Sequence, residues 1–478
     1  MELDPLLNKV PEKIEHIHIL GICGTGMAAL AGMLQSLGYR ISGSDQQVYP
    51  PMSDFLVDLG VHLHQPYSAK NLSQEPDLVI IGNVIRRSNE EALEVGRRGL
   101  PYLSFPQALA HFFIRSRSSL VITGTHGKTT TCSLLASVLY HAKLDPTFMI
   151  GGIVREFNSN FRLGKGKYFV AEGDEYDTAF FDKESKFLHY RPQIAVITSL
   201  EFDHADIFAD LEQIKRAFAK FIQLLPPDGL LIANLDNPDI AELAQAAPCP
   251  VEGYGLNSSF PWSLGKISSQ SGYTHFEVLK DGTLWDSFTV ALPGQHNCLN
   301  SLAVCAIMHH LGLDTKTINQ GLVAFGGVKR RQEIRGIENN ITVIDDFAHH
   351  PTAVRETLAA LKAAYPQNRL VTVFEPRTNS SRRTIFQKQY SESFDSSNIV
   401  LLREPVPLVD YPADQLFSSK QLTCDLKKRG LKAASFANTD QILLHLKSLL
   451  QPGDVVAILS NGGFDNIHVR LLESLREN

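Results

Sequence analysis

A chain of 478 residues with 44% hydrophobic content can fill several cores, and domains of about 100–200 residues make three the expected number. Its 45 basic and 51 acidic side chains leave a formal charge of −6, which excludes a large basic field for nucleic acid or an anionic membrane. The six cysteines, Cys23, Cys132, Cys249, Cys298, Cys305 and Cys424, lack C-x-x-C spacing, which argues against a disulfide scaffold. No apolar run approaches the ~20 residues that cross a bilayer, and residues 1–11 carry no leader pattern, so a cytoplasmic protein is expected.

Short β-rich runs alternate with helical stretches, the pattern of parallel sheets covered by helices, so the fold class is α/β in three units. The first unit, residues 1–108, opens with a strand over 16–21. A Gly-rich turn, an amphipathic helix to about 37, a strand ending near 44 and a strand over 77–81 follow. The second, 109–327, carries strands over 119–123, 168–171 and 194–198 and ends near Phe325-Gly326-Gly327. The third, 328–478, carries strands over 341–344, 370–374, 399–402 and 455–459. Neither a repeat nor a low-complexity segment interrupts this order.

The turn after the first strand reads Gly21-Ile22-Cys23-Gly24-Thr25-Gly26, and Asp45 closes the second strand. Glycines permit a tight turn and close approach of a pyrophosphate, and the acid can accept a ribose hydroxyl. A dinucleotide and a UDP-sugar fit equally well, and a tight turn without ligand is the plain alternative. The second unit opens on Val121-Ile122-Thr123-Gly124-Thr125-His126-Gly127-Lys128-Thr129-Thr130-Thr131, a strand running through a Gly-bearing loop into a helix. Backbone amides there bind phosphate oxygens, Lys128 neutralises the β and γ groups, and the Thr129 hydroxyl can ligate a cation. Ile122 replaces the first Gly of the general phosphate loop, so the match is partial. Two acidic runs, Glu172 to Asp177 and Glu201 to Asp206, each follow a strand. Their carboxylates and His204 are candidates to hold Mg²⁺ beside the phosphates, with a solvated loop as the bland reading.

Gly124-Thr125-His126-Gly127-Lys128-Thr129-Thr130, Glu172 to Asp177, Asp203-His204, Gly294-Gln295-His296-Asn297 and Asp345-Asp346-Phe347-Ala348-His349-His350-Pro351-Thr352 together resemble, in order and spacing, the motifs of the Mur ligase family. The resemblance covers essentially the whole chain. It implies an N-terminal Rossmann-like UDP-binding domain, a central ATPase domain built on a parallel sheet with a phosphate loop, and a C-terminal Rossmann-like domain that binds the acceptor. It also implies ATP and Mg²⁺ as cofactors. Gly124, Thr125, His126, Gly127, Lys128, Thr129 and Thr130 would hold the ATP phosphates, with His296 and Asn297 near the adenine. Arg330 or Arg331, together with Asp346, would arrive from the third domain. Thr129, Glu172 and His204 would hold metal. Gly24, Thr25, Gly26, Met27, Asp45 and Asn83 would bind the UDP-sugar. Lys128, His349 and Arg377 would act on the reacting groups, and Arg377, Asn379, Arg382, Arg383 and Asn461 would bind the acceptor. Some relatives use a carbamylated lysine, for which Lys215 and Lys220 are the neighbouring candidates.

Residues 21–27 are similar to the branch that uses UDP-N-acetylmuramate directly, as an amide ligase working through an acyl phosphate. Two acceptors follow from the resemblance: L-alanine, or the intact tripeptide L-alanyl-γ-D-glutamyl-meso-diaminopimelate of peptidoglycan recycling. Residues 48–53, 174–183, 200–208 and 460–464 resemble the tripeptide branch, and Phe347 stands where the L-alanine enzymes usually have a phenol. An arginine cluster, Arg377, Arg382 and Arg383, suits a long anionic acceptor. Gly173 and Ser380 to Arg383 depart from the commonest family pattern. An NAD-dependent oxidoreductase is the rival from another class, and it would need no ATP.

Overall fold

Three large β-sheets, besides a two-stranded ribbon of Asp177–Ala179 with Asp182–Ser185, divide the chain in sequence order in the computed structural model, which describes residues 3–7, 9–48, 52–270, 272–409 and 411–477. Tyr49-Pro50-Pro51 of the stretch 48–53 lies outside the described residues. The first sheet is wholly parallel, in the order His62–His64, Arg40–Ser44, His16–Leu20, Leu78–Ile81, Tyr102–Ser104. From His16–Leu20 the chain winds outward to one side and then returns to the other. The strand ends of His16–Leu20 and Leu78–Ile81 therefore flank the crevice where such sheets bind ligands. One layer of this unit is polar inside. His16 Nε2 and His18 Nδ1 each lie 2.8 Å from Ser42 Oγ, and His18 Nε2 lies 3.1 Å from the buried Glu91 carboxylate.

The central sheet has ten strands. Seven run parallel: Trp262–Gln270, Val251–Gly255, Leu230–Asn234, Ile194–Ile197, Ser118–Thr123, Tyr168–Glu172 and Thr147–Val154. Antiparallel strands close the edges, Tyr273–Lys280 with Thr283–Val290 at one side and Ser159–Arg162 at the other. The helix Lys128–His141 buries ten of its residues, on nearly every side, because it lies between this sheet and the helices Gln295–His310 and Thr315–Ala324. It accordingly lacks a distinct polar face, Thr129, Thr131, Ser133 and Ser137 being buried along with its apolar residues.

The third sheet runs Glu333–Glu338, Ile341–Asp346, Val455–Leu459, Leu370–Phe374, Ile399–Arg403, Lys432–Phe436, parallel except for its first strand. The architecture is thus mixed α/β in three domains. The first two units share one apolar cluster, in which Phe55 meets Phe161 edge-on at 6.1 Å. Gly32 permits that approach, since a Cβ there would lie 2.8 Å from Phe161. The third unit docks through polar contacts instead. Among the described residues no helix is long and apolar enough to cross a membrane, and all six cysteines are free.

Candidate active site

The strand Ser118–Thr123 delivers the chain into the loop 124–127 and then into the helix Lys128–His141. Gly124 sits at φ +132°, and a Cβ there would lie 2.3 Å from Thr198 Oγ1 and 2.8 Å from the Ser199 backbone. Only glycine lets the loop lie against the neighbouring strand end. Lys128 Nζ donates to the Gly124 carbonyl at 2.5 Å and to Glu175 Oε2 at 3.0 Å. His204 Nε2 lies 3.0 Å from the other Glu175 oxygen. Thr129 Oγ1 donates to Glu172 Oε1 at 2.9 Å, and Glu172 Oε2 accepts from the Gly151 amide at 2.7 Å.

Burial works against every charge in this group, yet the partners outweigh it. Glu175 and then Asp174 hold the Lys128 ammonium above its ordinary value, and Lys128 with His204 holds Glu175 below its own. Asp174 is pulled down to about 2 against burial by Lys186 and Lys128. Glu175 keeps His204 raised. Thr129 and Glu172 meet beside the phosphate loop as oxygen donors of the kind a hard divalent cation takes, whereas His204 is engaged by Glu175.

Above these groups lies a cavity of about 600 Å³ walled by all three units. Gly26 and Phe105 come from the first, and Thr125, His126, Gly127, Lys128, Thr129, Thr130, Glu172, His204, His296 and Asn297 from the second. Arg331, Asp346 and His349 come from the third. Burial, aided by Arg331, pushes His296 down to about 4. Asp346 is raised by burial and accepts from the Gln332 and Ala348 amides at 2.7 and 2.8 Å. Arg331 reaches Thr129 Oγ1 at 3.3 Å across the domain seam. Arg330 turns away, donating to the Ser460 and Gly462 carbonyls at 2.7 Å each. Of the two candidate arginines, Arg331 is therefore the one at this cavity.

In the first unit, Gly24 caps the helix Thr25–Ser36 and Met27 is buried beneath the loop. Asp45 turns inward, accepting from the Cys23 amide at 3.0 Å and the Tyr67 hydroxyl at 3.4 Å, so it braces the loop. Asn83 is exposed just past Leu78–Ile81, beside the crevice.

The expected acceptor residues part company. Arg377 and Arg382 line a second cavity of about 400 Å³ together with Glu375, Arg403, Glu404 and Asp465. Arg383 points elsewhere, donating to the Ala205 carbonyl at 3.2 Å and lying 4.5 Å over the Tyr411 ring. Asn379 donates to Asp206 at 3.1 Å. Both therefore tie the third unit to the second. Asn461 Oδ1 is buried without a hydrogen-bond partner. His349 Nε2 lies 4.0 Å from Asp203, and burial lowers its pKa. Lys215 and Lys220 lie outside the cavity, paired with Glu242 at 2.9 Å and Glu184 at 2.7 Å. Sequence reasoning did not single out Glu175, Arg403 or Asp465. Glu175 was hidden within its acidic run, whereas Arg403 ends a strand of a parallel sheet, a position that can be searched for.

A phosphate loop beside a carboxylate cluster, with a third domain closing over both, defines a nucleotide-driven enzyme assembled from three units. Residues 16–117, 122–308 and 330–462 match, in that order, the models for the Mur ligase family catalytic domain, the Mur ligase middle domain and the Mur ligase glutamate ligase domain. The chain belongs to the Mur ligase family and is an ATP-dependent ligase. It is 38% identical over 460 residues to the UDP-N-acetylmuramate–L-alanyl-γ-D-glutamyl-meso-2,6-diaminoheptandioate ligase of Escherichia coli K12, covering 96% of this chain and 98% of that one. It is 34% identical over 466 residues to the UDP-N-acetylmuramate–L-alanine ligase of Geotalea daltonii, covering 97% and 99%. The crystal structure of a murein peptide ligase from Psychrobacter arcticus superposes with a TM-score of 0.70 at 34% identity, covering 97% of this chain and 99% of that one.

Proposed function

We propose that this ligase joins the lactyl carboxylate of UDP-N-acetylmuramate to the amine of the tripeptide L-alanyl-γ-D-glutamyl-meso-diaminopimelate, at the expense of ATP and with Mg²⁺, in cytoplasmic peptidoglycan recycling. The observation that carries the acceptor is the second cavity. Arg377 and Arg382 line it, and Arg403 bridges Glu375 and Asp465 in the same wall. The guanidinium groups of Arg377 and Arg382 suit the distal carboxylates of a tripeptide, which L-alanine lacks. The 38% relative, named for the same acceptor, supports the same reading.

Phosphoryl transfer to a carboxylate brings two anions together, so charge neutralisation dominates the barrier. Lys128 and the amides at the start of its helix face the transferring phosphoryl group. Thr129, Glu172 and His204 would hold Mg²⁺, which supplies further neutralisation and fixes the phosphates. Arg331 and Asp346 arrive with the third unit and complete the nucleotide pocket. His349, kept neutral by burial, stands where the incoming amine must lose its proton as the acyl phosphate is attacked. Closure of the third unit excludes the water that would hydrolyse that intermediate.

Free L-alanine is the second reading, supported by the 34% relative. Phosphate release measured with UDP-N-acetylmuramate, ATP and Mg²⁺ separates the two. The tripeptide is expected to give the higher kcat/KM. A preference for L-alanine would overturn the acceptor while leaving the ligase chemistry standing.

A further inference from the structure

Where the third unit meets the phosphate loop, three groups turn acceptor atoms toward one another: His126 of the loop, Glu201 after the strand Ile194–Ile197, and His350, which caps the helix Pro351–Ala364. Glu201 Oε2 lies 3.6 Å from His126 Nε2 and 3.5 Å from His350 Nδ1, and the two rings sit 4.5 Å apart. Hydrogen bonds fix the His350 tautomer. Its Nε2 faces the Phe202 carbonyl at 3.3 Å and can only donate there, while its Nδ1 accepts from the Thr352 amide at 3.3 Å. The same Nδ1 stands 3.5 Å from Glu201 Oε2, so ligation of a cation between them would replace the long helix-cap contact to the Thr352 amide. His126 Nε2 is buried and has no hydrogen-bond partner.

The spacing suits a metal ion. Bonds of about 2.0–2.2 Å in a tetrahedral site separate neighbouring donors by roughly 3.3–3.6 Å. Two imidazoles and one carboxylate are a borderline donor set, matched to Zn²⁺ rather than to the oxygen-seeking Mg²⁺. The supporting contacts are also in position. The Phe202 carbonyl orients His350, and Thr352 Oγ1 donates to Glu201 Oε2 at 2.7 Å, as outer partners of metal ligands do. The Glu201 side chain is one-third exposed, leaving water access to a fourth position.

We propose that His126, Glu201 and His350 form a binding site for a borderline divalent transition metal of the Zn²⁺ class, separate from the hard-cation group at Glu172 and His204. Two ligands belong to the central unit and one to the third, so occupancy holds the third unit closed over the phosphate loop.

Co²⁺ titrated into the full chain, with Mg²⁺ in large excess and no nucleotide or acceptor, tests the site. The readouts are bound metal after dialysis and the visible bands of tetrahedral Co²⁺. The expected result is one equivalent bound and displaced by Zn²⁺. Affinity should fall at least about tenfold in His350→Ala and in Glu201→Gln, and stay unchanged in His204→Ala. Failure to retain Co²⁺ against Mg²⁺, undiminished binding in Glu201→Gln, or loss of binding in His204→Ala would each overturn the site. If His350→Ala does not fold, as circular dichroism would reveal, the near-isosteric Glu201→Gln decides alone. Because no substrate is present, the result is independent of which acceptor the ligase uses.

Discussion

Lys128 answers to two demands, on folding and on turnover, and they can be pulled apart. Its ammonium neutralises Glu175, whose side chain is 3% exposed, and it also faces the transferring phosphoryl group. Lys128→Ala should lower kcat by at least about a hundredfold. It should also cost stability, up to about 3–5 kcal/mol, because the buried Glu175 keeps only His204 as a counter-charge. Adding Glu175→Gln to that variant should restore much of the lost unfolding midpoint and none of the turnover. Recovery of turnover in the double variant would remove Lys128 from the chemistry. A second separation concerns the adjacent arginines. Arg382 faces the charged cavity and Arg383 the Ala205 carbonyl. Arg382→Ala should therefore raise KM for the tripeptide while leaving KM for ATP within about twofold, losing an interaction worth about 2–5 kcal/mol if fully enclosed. Arg383→Ala should instead weaken closure and raise KM for every substrate. Identical kinetic profiles for the two variants would show that the geometric distinction has no consequence.

At the scale of elements, the phosphate loop depends on one glycine. Gly124→Ala would drive a methyl group into Thr198 and the Ser199 backbone at a φ that L-residues avoid, costing about 1–3 kcal/mol and displacing the loop. Calorimetry should record a lower unfolding midpoint together with weakened ADP binding. Normal ADP affinity would mean that the loop tolerates the shift. This strand-loop-helix was legible in the sequence because buried apolar runs such as Ser118–Thr123 and Val455–Leu459 are flanked by turn residues. The ribbon Trp262–Val290 was not, since much of it is exposed and its hydrophobic alternation breaks at two register shifts. His18 occupies an interior strand position beside Glu91, which arrives from a distant helix, while His16 leans on Ser42 of the neighbouring strand. The acidic run announced a charged site, but which carboxylate turns toward Lys128 is decided by the turn 173–176. Likewise the opposite directions of Arg382 and Arg383 follow from docking on the central unit, a contact no local pattern encodes.

For the whole molecule, buried histidines set the acid limit. Burial, with Arg40, pushes His16 down to about 4, and burial with Arg331 does the same to His296. Burial with His126 takes His350 to about 3. In the unfolded chain these rings titrate near about 6.5. Between about 6.5 and 4 the unfolded chain therefore binds protons that the native chain refuses, and stability must fall as pH falls. Each ring contributes a slope of up to about 1.4 kcal/mol per pH unit. His204 works in the opposite sense: it is raised by Glu175 despite burial, so its contribution is present below about 6.5 and lost as pH rises through its native value. Burial lowers His64, His111, His309 and His349 as well, so the lowered rings outweigh the one that is raised. At still lower pH, Asp174, held to about 2 against burial by Lys186 and Lys128, loses its contribution as pH falls toward that value. The urea midpoint should accordingly decline steadily from pH 6.5 to 4 and continue downward below it. His296→Gln should reduce the slope in the upper window by removing one of these lowered rings, without altering the lower branch. A flat midpoint across pH 6.5 to 4, or an unchanged slope in His296→Gln, would mean that the rings concerned titrate near their ordinary value in the native chain and take up protons in the folded state across that window.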